Sequence, residues 1–276
     1  MGNQFLDAAV ETALEAGEIL VAEFHRPVKI SYKGEVDIVT QADRRSEEAI
    51  VARLRRYFPE HAIVAEEGSG QEGDAVHRWI VDPLDGTTNF AHGYPWFAVS
   101  IGLEEAGELQ VGVIYQPITK ELFTAARGDG AYLNEKPIRV SSVEHLSTSL
   151  LATGFPSHKR ARNPNIHFYW NFTLRSHGVR RNGSAAMDLA CVACGRFDGF
   201  WEFGLHAWDT AAGALLVREA GGMVTTFSGK PYRPGDYETL ASNGRIHADL
   251  RQVSAEIQQQ IAAGPGLPQV PVRESE

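Results

Sequence analysis

Asp82 and Asp85 close an apolar run, Trp79-Ile80-Val81, and Gly86, Thr87 and Thr88 follow them directly. Two carboxylates at that spacing offer hard oxygen atoms of the kind that suit Mg²⁺. The apolar run reads as a buried strand that should stop at Asp82-Pro83, because Pro83 has no N–H to give a sheet ladder. Gly86 lets the backbone come close to a ligand, and Thr87 or Thr88 can cap a short helix. A helix start presents free N–H groups and the positive end of a dipole, which suit a phosphate. The stretch therefore describes cations holding a phosphate group. A polar turn explains Asp85-Gly86 taken alone, but not the whole string from Trp79 to Phe90. An EF-hand is excluded, since Leu84 and Gly86 fall where that loop needs Asp or Asn.

Further acids stand at the ends of other elements. His61 to Ala65 reads as a short strand running into Glu66-Glu67, and the residues alone do not choose between the two. Asp209 heads a helix, Trp208 to Ala220, that Gly221-Gly222 closes. It is an N-cap, a metal ligand presented by a rigid helix end, or both. Asp43 opens a helix that runs through Leu54 and Phe58 to Pro59. On its own it passes as a helix cap, and Lys33 as a surface charge.

The string Trp79-Ile80-Val81-Asp82-Pro83-Leu84-Asp85-Gly86-Thr87-Thr88-Asn89-Phe90 resembles the signature of the inositol monophosphatase family. So does Trp208-Asp209-Thr210-Ala211-Ala212-Gly213, running on to Glu219-Ala220-Gly221-Gly222, and the resemblance covers roughly residues 5 to 262. It implies a mixed α/β (α+β) fold, a layered αβαβα sandwich, and Mg²⁺-dependent, lithium-sensitive hydrolysis of inositol monophosphate. By resemblance, Glu66, Asp82 and the Leu84 carbonyl hold one Mg²⁺, while Asp82, Asp85 and Asp209 hold a second. A weaker third ion would sit near Glu66, and Lys33 matches a position near the metal site. Thr87, polarised by Asp43, would orient the attacking water, with Glu66 also in the catalytic set. The N–H groups of Gly86 and Thr87 would meet the phosphate. Ala185 and Glu202 match sugar-contacting positions, joined by Asp85 and Asp209. Similar proteins form homodimers.

Within the class, phosphatases of fructose 1,6-bisphosphate, 3′-phosphoadenosine 5′-phosphate or histidinol phosphate are the alternatives. The nucleotide and histidinol relatives carry Lys after Asp-Gly-Thr and the fructose enzymes Ser-Ser after Asp-Gly, whereas this chain has Thr87-Thr88-Asn89, the inositol pattern. An alternative from another class is a regulatory protein that keeps the fold and binds a macromolecular partner. Arg180-Arg181 and Arg53-Arg55-Arg56 are its basic clusters, and a solvated face explains both.

The 276 residues suffice for a large core, and 43% hydrophobic with 22% charged residues are ordinary for a globular protein. A net charge of −9 argues against broad nucleic-acid binding but not against an anionic substrate, because bound cations reverse the local sign. Asp7, Glu11 and Glu15 stand where a signal peptide would need cationic and apolar residues, and Leu6 spoils a myristoylation motif. No apolar run is long enough to cross a membrane, so the expectation is a cytoplasmic protein. Cys191 and Cys194 lack a second pair to complete a zinc site, and their small-residue helix, Ala185 to Gly195, marks them as packing residues.

The elements that must position these residues follow in order. An amphipathic helix spans 5 to 25, and Lys29 to Thr40 reads as strand, mobile loop and strand. Trp96 to Leu103, Leu109 to Tyr115 and Glu121 to Ala125 form an antiparallel meander. Leu150 to Phe155 starts a second α/β portion with a helix at Asn165 to Ser176. Ser184 caps the helix from Ala185, Phe197 to Phe203 is a strand, and Ile246 to Ile261 is the last helix. Residues 1–262 are expected to form one catalytic unit, with an N-terminal half of about 1–145 and a C-terminal half of about 146–262. Residues 263–276 read as a disordered tail.

Overall fold

The computed structural model describes residues 3–26, 30–32, 38–74, 76–155 and 163–264. Helix α1 (Gln4–Phe24) is capped by Asn3, whose side chain accepts from the Phe5 and Leu6 N–H groups. Strands β1 (Ile30–Tyr32) and β2 (Ile38–Thr40) pair antiparallel, and α2 (Gln41–Tyr57) follows at once. A seven-stranded sheet then takes β3 (Ala62–Ala65), β4 (His77–Asp85), β5 (Ala98–Glu105), β6 (Glu108–Gln116), β7 (Glu121–Ala126), β8 (Gly130–Leu133) and β9 (Lys136–Pro137) in chain order. Its first pair is parallel and the rest antiparallel. The short helix α3 (Thr87–Ala91) lies between β4 and β5.

The later part of the chain builds a five-stranded sheet from β10 (Leu150–Thr153), β11 (Gly178–Arg180), β12 (Gly199–Phe203), β13 (Met223–Thr225) and β14 (Glu238–Ser242), in spatial order β11-β10-β12-β14-β13. Helices α4 (Asn165–Arg175), α5 (Ala185–Ala193), α6 (Ala207–Glu219) and α7 (His247–Ala263) complete the fold.

Strand alternation assigns the layers. On β4, Trp79 and Val81 join a core with Leu20 of α1 and Ile50 and Leu54 of α2, while Ile80 between them faces a second core with Leu189 of α5 and Leu216 of α6. On β12, Phe200 belongs to that second core, while Trp201 packs with Phe172 of α4 and Leu250 and Ile257 of α7. Strands buried on both faces have to be apolar on both, which is why Trp79-Ile80-Val81 of β4 and Phe200-Trp201 of β12 are apolar without alternation. Helix pair, sheet, helix pair, sheet and helix pair stack in five layers, the expected αβαβα sandwich. Helix α6 comes close to the first sheet because Gly102 and Gly112 face it: a Cβ on Gly112 would lie 2.7 Å from the Ala212 carbonyl oxygen. That approach carries the head of α6 to the end of β4.

Three local expectations need correction. Strand β4 does not stop at Pro83 but continues to Asp85. Its pairing with β5 shifts register between Asp82 and Asp85, so the missing Pro83 N–H falls at an irregularity where no ladder bond is required. Neither Thr87 nor Thr88 caps α3. The cap is Gly86, at φ 99°, and no side chain bonds there. The last helix ends at Ala263, two residues past the expected Ile261. Residues 265–276, like Lys33, lie outside the described residues.

Candidate active site

Asp82 and Asp85 flank the irregularity that ends β4, and their side chains are held in different ways. The Leu84 N–H donates to Asp82 Oδ1 at 3.0 Å. Asp85 Oδ2 takes two donors from the start of α5, the Ser184 hydroxyl at 2.7 Å and the Ala186 N–H at 2.6 Å. The helix N-terminus thus grips one oxygen of Asp85. Gly86 is required here twice over: its positive φ is costly for other residues, and a Cβ would lie 3.0 Å from the Trp96 carbonyl oxygen.

Asp209 arrives from the other half of the chain. It is not the N-cap of α6, as one sequence reading had it. His206 holds that place and Asp209 is the third helical residue of a capping box, accepting the His206 N–H at 2.6 Å. Asp43 repeats the device on α2, where Thr40 rather than Asp43 is the cap and Asp43 Oδ2 accepts the Thr40 N–H at 2.8 Å. Its other oxygen accepts the Thr87 hydroxyl at 2.9 Å. The Leu84 carbonyl is a second acceptor for that hydroxyl, at 3.0 Å.

Carboxylate oxygens of Asp82, Asp85 and Asp209 fall within 4.8 Å of one another. Burial and the repulsion between neighbouring acids outweigh the hydrogen bonds these carboxyls accept. The Asp82 carboxyl is driven well above its ordinary range by burial first, then by Glu66, Asp85 and Asp209. Asp209 is raised well above its range by burial and by Asp85, with Glu66 adding to it. Asp85 is pushed up to about 6 by burial, against the pull of Ser184 and the α5 backbone. Burial also raises Asp43. Acids so placed fit divalent cations, whose charge removes the repulsion and whose preference is for carboxylate oxygen.

Glu66 is the acid of its pair whose charge reaches Asp82 and Asp209. The turn that carries it is pinned by Glu47, a buried carboxylate accepting from the Glu67 N–H at 2.7 Å and the Ser69 N–H at 2.8 Å. Glu202 on β12 is buried and raised well above its range, first by burial and then by the charge of Asp188. Ala185 is the first residue of α5, beside the grip on Asp85. Asn89 ties the halves together, donating to the Trp96 carbonyl at 2.7 Å and to the Asn182 carbonyl at 2.8 Å.

Ser184 and Glu47 were not singled out as site residues in the sequence. Glu47 did leave a signal: it shares the buried face of α2 with Asp43, Ser46, Ile50 and Leu54, an acid on an apolar stripe. Ser184 left only its helix-start signature, since its partner Asp85 is 99 residues away. The cysteines are free, and Cys191 packs in the middle core.

Residues 2–261 match the model of the inositol monophosphatase family. An inositol-1-monophosphatase of Mesorhizobium japonicum is 48% identical over 90% of this chain and 95% of its own length. A protein of Pseudomonas aeruginosa named Nus factor SuhB is 47% identical over 81% of this chain and 86% of its own. The solved inositol monophosphatase of Anabaena (Nostoc) superimposes with a TM-score of 0.84 at 46% identity, covering 92% of this chain and 96% of that one. The chain belongs to the inositol monophosphatase family, whose members are metal-dependent phosphatases.

Proposed function

We propose that the chain is a Mg²⁺-dependent phosphatase releasing inorganic phosphate from myo-inositol monophosphate. The observation that carries this reading is the convergence of Asp82, Asp85 and Asp209, drawn from both halves of the chain, into one set of repelled oxygens. Glu66, Asp82, the Leu84 carbonyl, Asp85 and Asp209 would hold two or three Mg²⁺ ions. Bound there, Mg²⁺ supplies charge neutralisation on the phosphoryl oxygens and acidifies water.

The chain's own residues then do the following. Thr87 gives its proton to Asp43 and so turns an oxygen lone pair toward the attacking water, which fixes the water's position and receives its proton. The N–H groups at the start of α3, of the cap Gly86 and of Thr87, have no partner within the helix and donate to the phosphate oxygens. Glu202 accepts hydrogen bonds from ring hydroxyls, and Ala185, small and at the mouth of α5, leaves room for the ring. Asp85 and Asp209 border the same space. Lys33 would contribute near the third ion, as the resemblance implies. The enzyme would work as a cytoplasmic homodimer inhibited by Li⁺.

Phosphate release from myo-inositol 1-phosphate, with and without Mg²⁺, tests this directly. Parallel assays with fructose 1,6-bisphosphate, 3′-phosphoadenosine 5′-phosphate and histidinol phosphate rank the alternatives. A regulatory reading, in which the fold engages a macromolecular partner, is favoured by one observation: the Pseudomonas relative bears the name Nus factor. Failure to hydrolyse any of these esters at millimolar Mg²⁺ would leave that reading standing alone.

A further inference from the structure

Glu202 is 7% exposed, yet no group among the described residues hydrogen-bonds its carboxylate. Its position is set sterically, by Gly154 at the end of β10. A Cβ built on Gly154 would lie 2.2 Å from both carboxylate oxygens of Glu202 and 2.4 Å from its Cδ. No real Cβ tolerates such contacts, so any side chain at 154 would drive the carboxylate away. Gly154 is not among the residues of positive φ, so the backbone itself accepts alanine and the conflict is purely one of space.

Gly154 in turn cannot retreat. Asn165, fully buried at the start of α4, donates to the Gly154 carbonyl at 2.5 Å and to Thr153 Oγ1 at 2.9 Å. The same amide accepts the Trp201 indole N–H at 2.6 Å, and Thr153 Oγ1 donates to the Trp201 carbonyl at 2.6 Å. One buried network therefore locks the strand end bearing Gly154 to the residue beside Glu202.

We propose that Gly154 is a positioning residue that sets substrate choice by fixing where the Glu202 carboxylate meets the hydroxyls of the substrate. The inference rests on the proposed role of Glu202. Because the colliding atoms sit at the far end of a flexible side chain, Gly154→Ala displaces the carboxylate and leaves the fold standing.

The test is a double-mutant cycle of Gly154→Ala and Glu202→Ala, read as kcat/KM on myo-inositol 1-phosphate and on glycerol 2-phosphate, with melting temperatures alongside. Gly154→Ala should lower kcat/KM for the inositol ester roughly tenfold to a hundredfold, the weight of a hydrogen bond to a charged group, chiefly through KM. Glycerol 2-phosphate should change within about threefold, well under that weight. In the Glu202→Ala background the same substitution should have no further effect on rate or melting temperature, because the atoms it would strike are gone. Equal losses on both substrates, or the same loss in both backgrounds, would overturn the proposal. If Glu202→Ala is selective while Gly154→Ala is neutral, the proposal alone fails. If Glu202→Ala itself hits both esters equally, the role of Glu202 fails and takes the proposal with it.

Discussion

Among the described residues, two clusters place metal-ligand atoms within 4.8 Å of one another: Asp82 with Asp85 and Asp209, and His61 with Asp74 and His77. By proximity alone they are equals, and their electrostatics separate them. In the second cluster each charge is answered. Asp74 accepts the N–H groups of Val76 and His77, and its carboxyl is held down to about 2. His77 meets Asp74 through Nδ1 at 3.2 Å and Glu105 through Nε2 at 3.3 Å. His61 accepts the Trp79 indole N–H at 3.1 Å and stacks on His77 with ring centroids 4.2 Å apart and planes 6° from parallel. Parallel rings cannot both aim an in-plane nitrogen at one ion. In the first cluster the three carboxyls are all displaced upward, Asp85 by burial and Asp82 and Asp209 by burial and neighbouring acids, and the hydrogen bonds they accept do not offset it. A satisfied cluster is architecture, whereas a cluster that holds repulsion in the folded state waits for a ligand.

The largest effect should come from removing one repelled charge. Asp209→Asn keeps an oxygen to accept the His206 N–H, so α6 stays capped. Activity at millimolar Mg²⁺ should fall by more than the ~10²–10⁴-fold that a proton-transfer group contributes. Without Mg²⁺ the variant should melt no lower than the parent, since it sheds a like charge. Near-normal turnover would return Asp209 to a purely capping role.

Next in size is Thr87. Its hydroxyl links Asp43 to the end of β4. Thr87→Ala should lose turnover by ~10²–10⁴-fold, Thr87→Ser much less, and KM and Mg²⁺ dependence should move little in either. An alanine variant that is less stable yet fully active would make the hydroxyl structural.

How much of this was legible beforehand differs between the two sides of the site. The β4 side was plain, because Asp82 and Asp85 interrupt a run that burial on two faces makes apolar. Asp209 was plain as a helix head, though not as the third residue of a capping box, since a cap and a ligand use the same residue type. Pro83 misled: a proline normally ends a strand, and only the register shift opposite Ala98 and Ser100 makes room for it. Ser184 and Glu47 were hidden for a common reason. Each acts on a backbone or side chain far along the sequence, and local spacing carries no record of such a partner.

The clusters should also respond to pH with opposite slopes. Asp85 titrates at about 6 when folded against an ordinary 3.8, so its unfavourable ionisation costs stability as pH rises. Its contribution is fully present below about 3.8 and lost as pH climbs through about 6. Cation-free protein should therefore melt progressively lower from about pH 4 to 7, and saturating Mg²⁺ should restore the melting temperature at the upper end. Asp209→Asn should flatten that slope. A Mg²⁺ effect as large at pH 4.5 as at pH 7.5 would contradict the assignment.

The smallest effect belongs to the satisfied cluster. His61 accepts from the Trp79 N–H through Nδ1, so its neutral form carries the proton on Nε2, and protonating Nδ1 would set two N–H groups against each other. Burial, then His77, lowers its pKa below 6.5 while Asp74 and Glu105 pull the other way. A base whose folded pKa is lowered stabilises the fold above its unfolded value and loses that contribution as pH falls below about 6.5. His61→Gln can still accept the indole N–H but cannot charge. It should melt within roughly 2–4 °C of the parent at pH 7.5, the weight of about one hydrogen bond. It should also lose less stability than the parent between pH 7 and 5. Phosphatase activity and its Mg²⁺ dependence should stay within about twofold, less than a tenfold, 1.4 kcal/mol effect. A large fall in activity, or a Mg²⁺ requirement that shifts, would show that the stacked histidines serve the reaction and that satisfied charge does not mark a cluster as architecture.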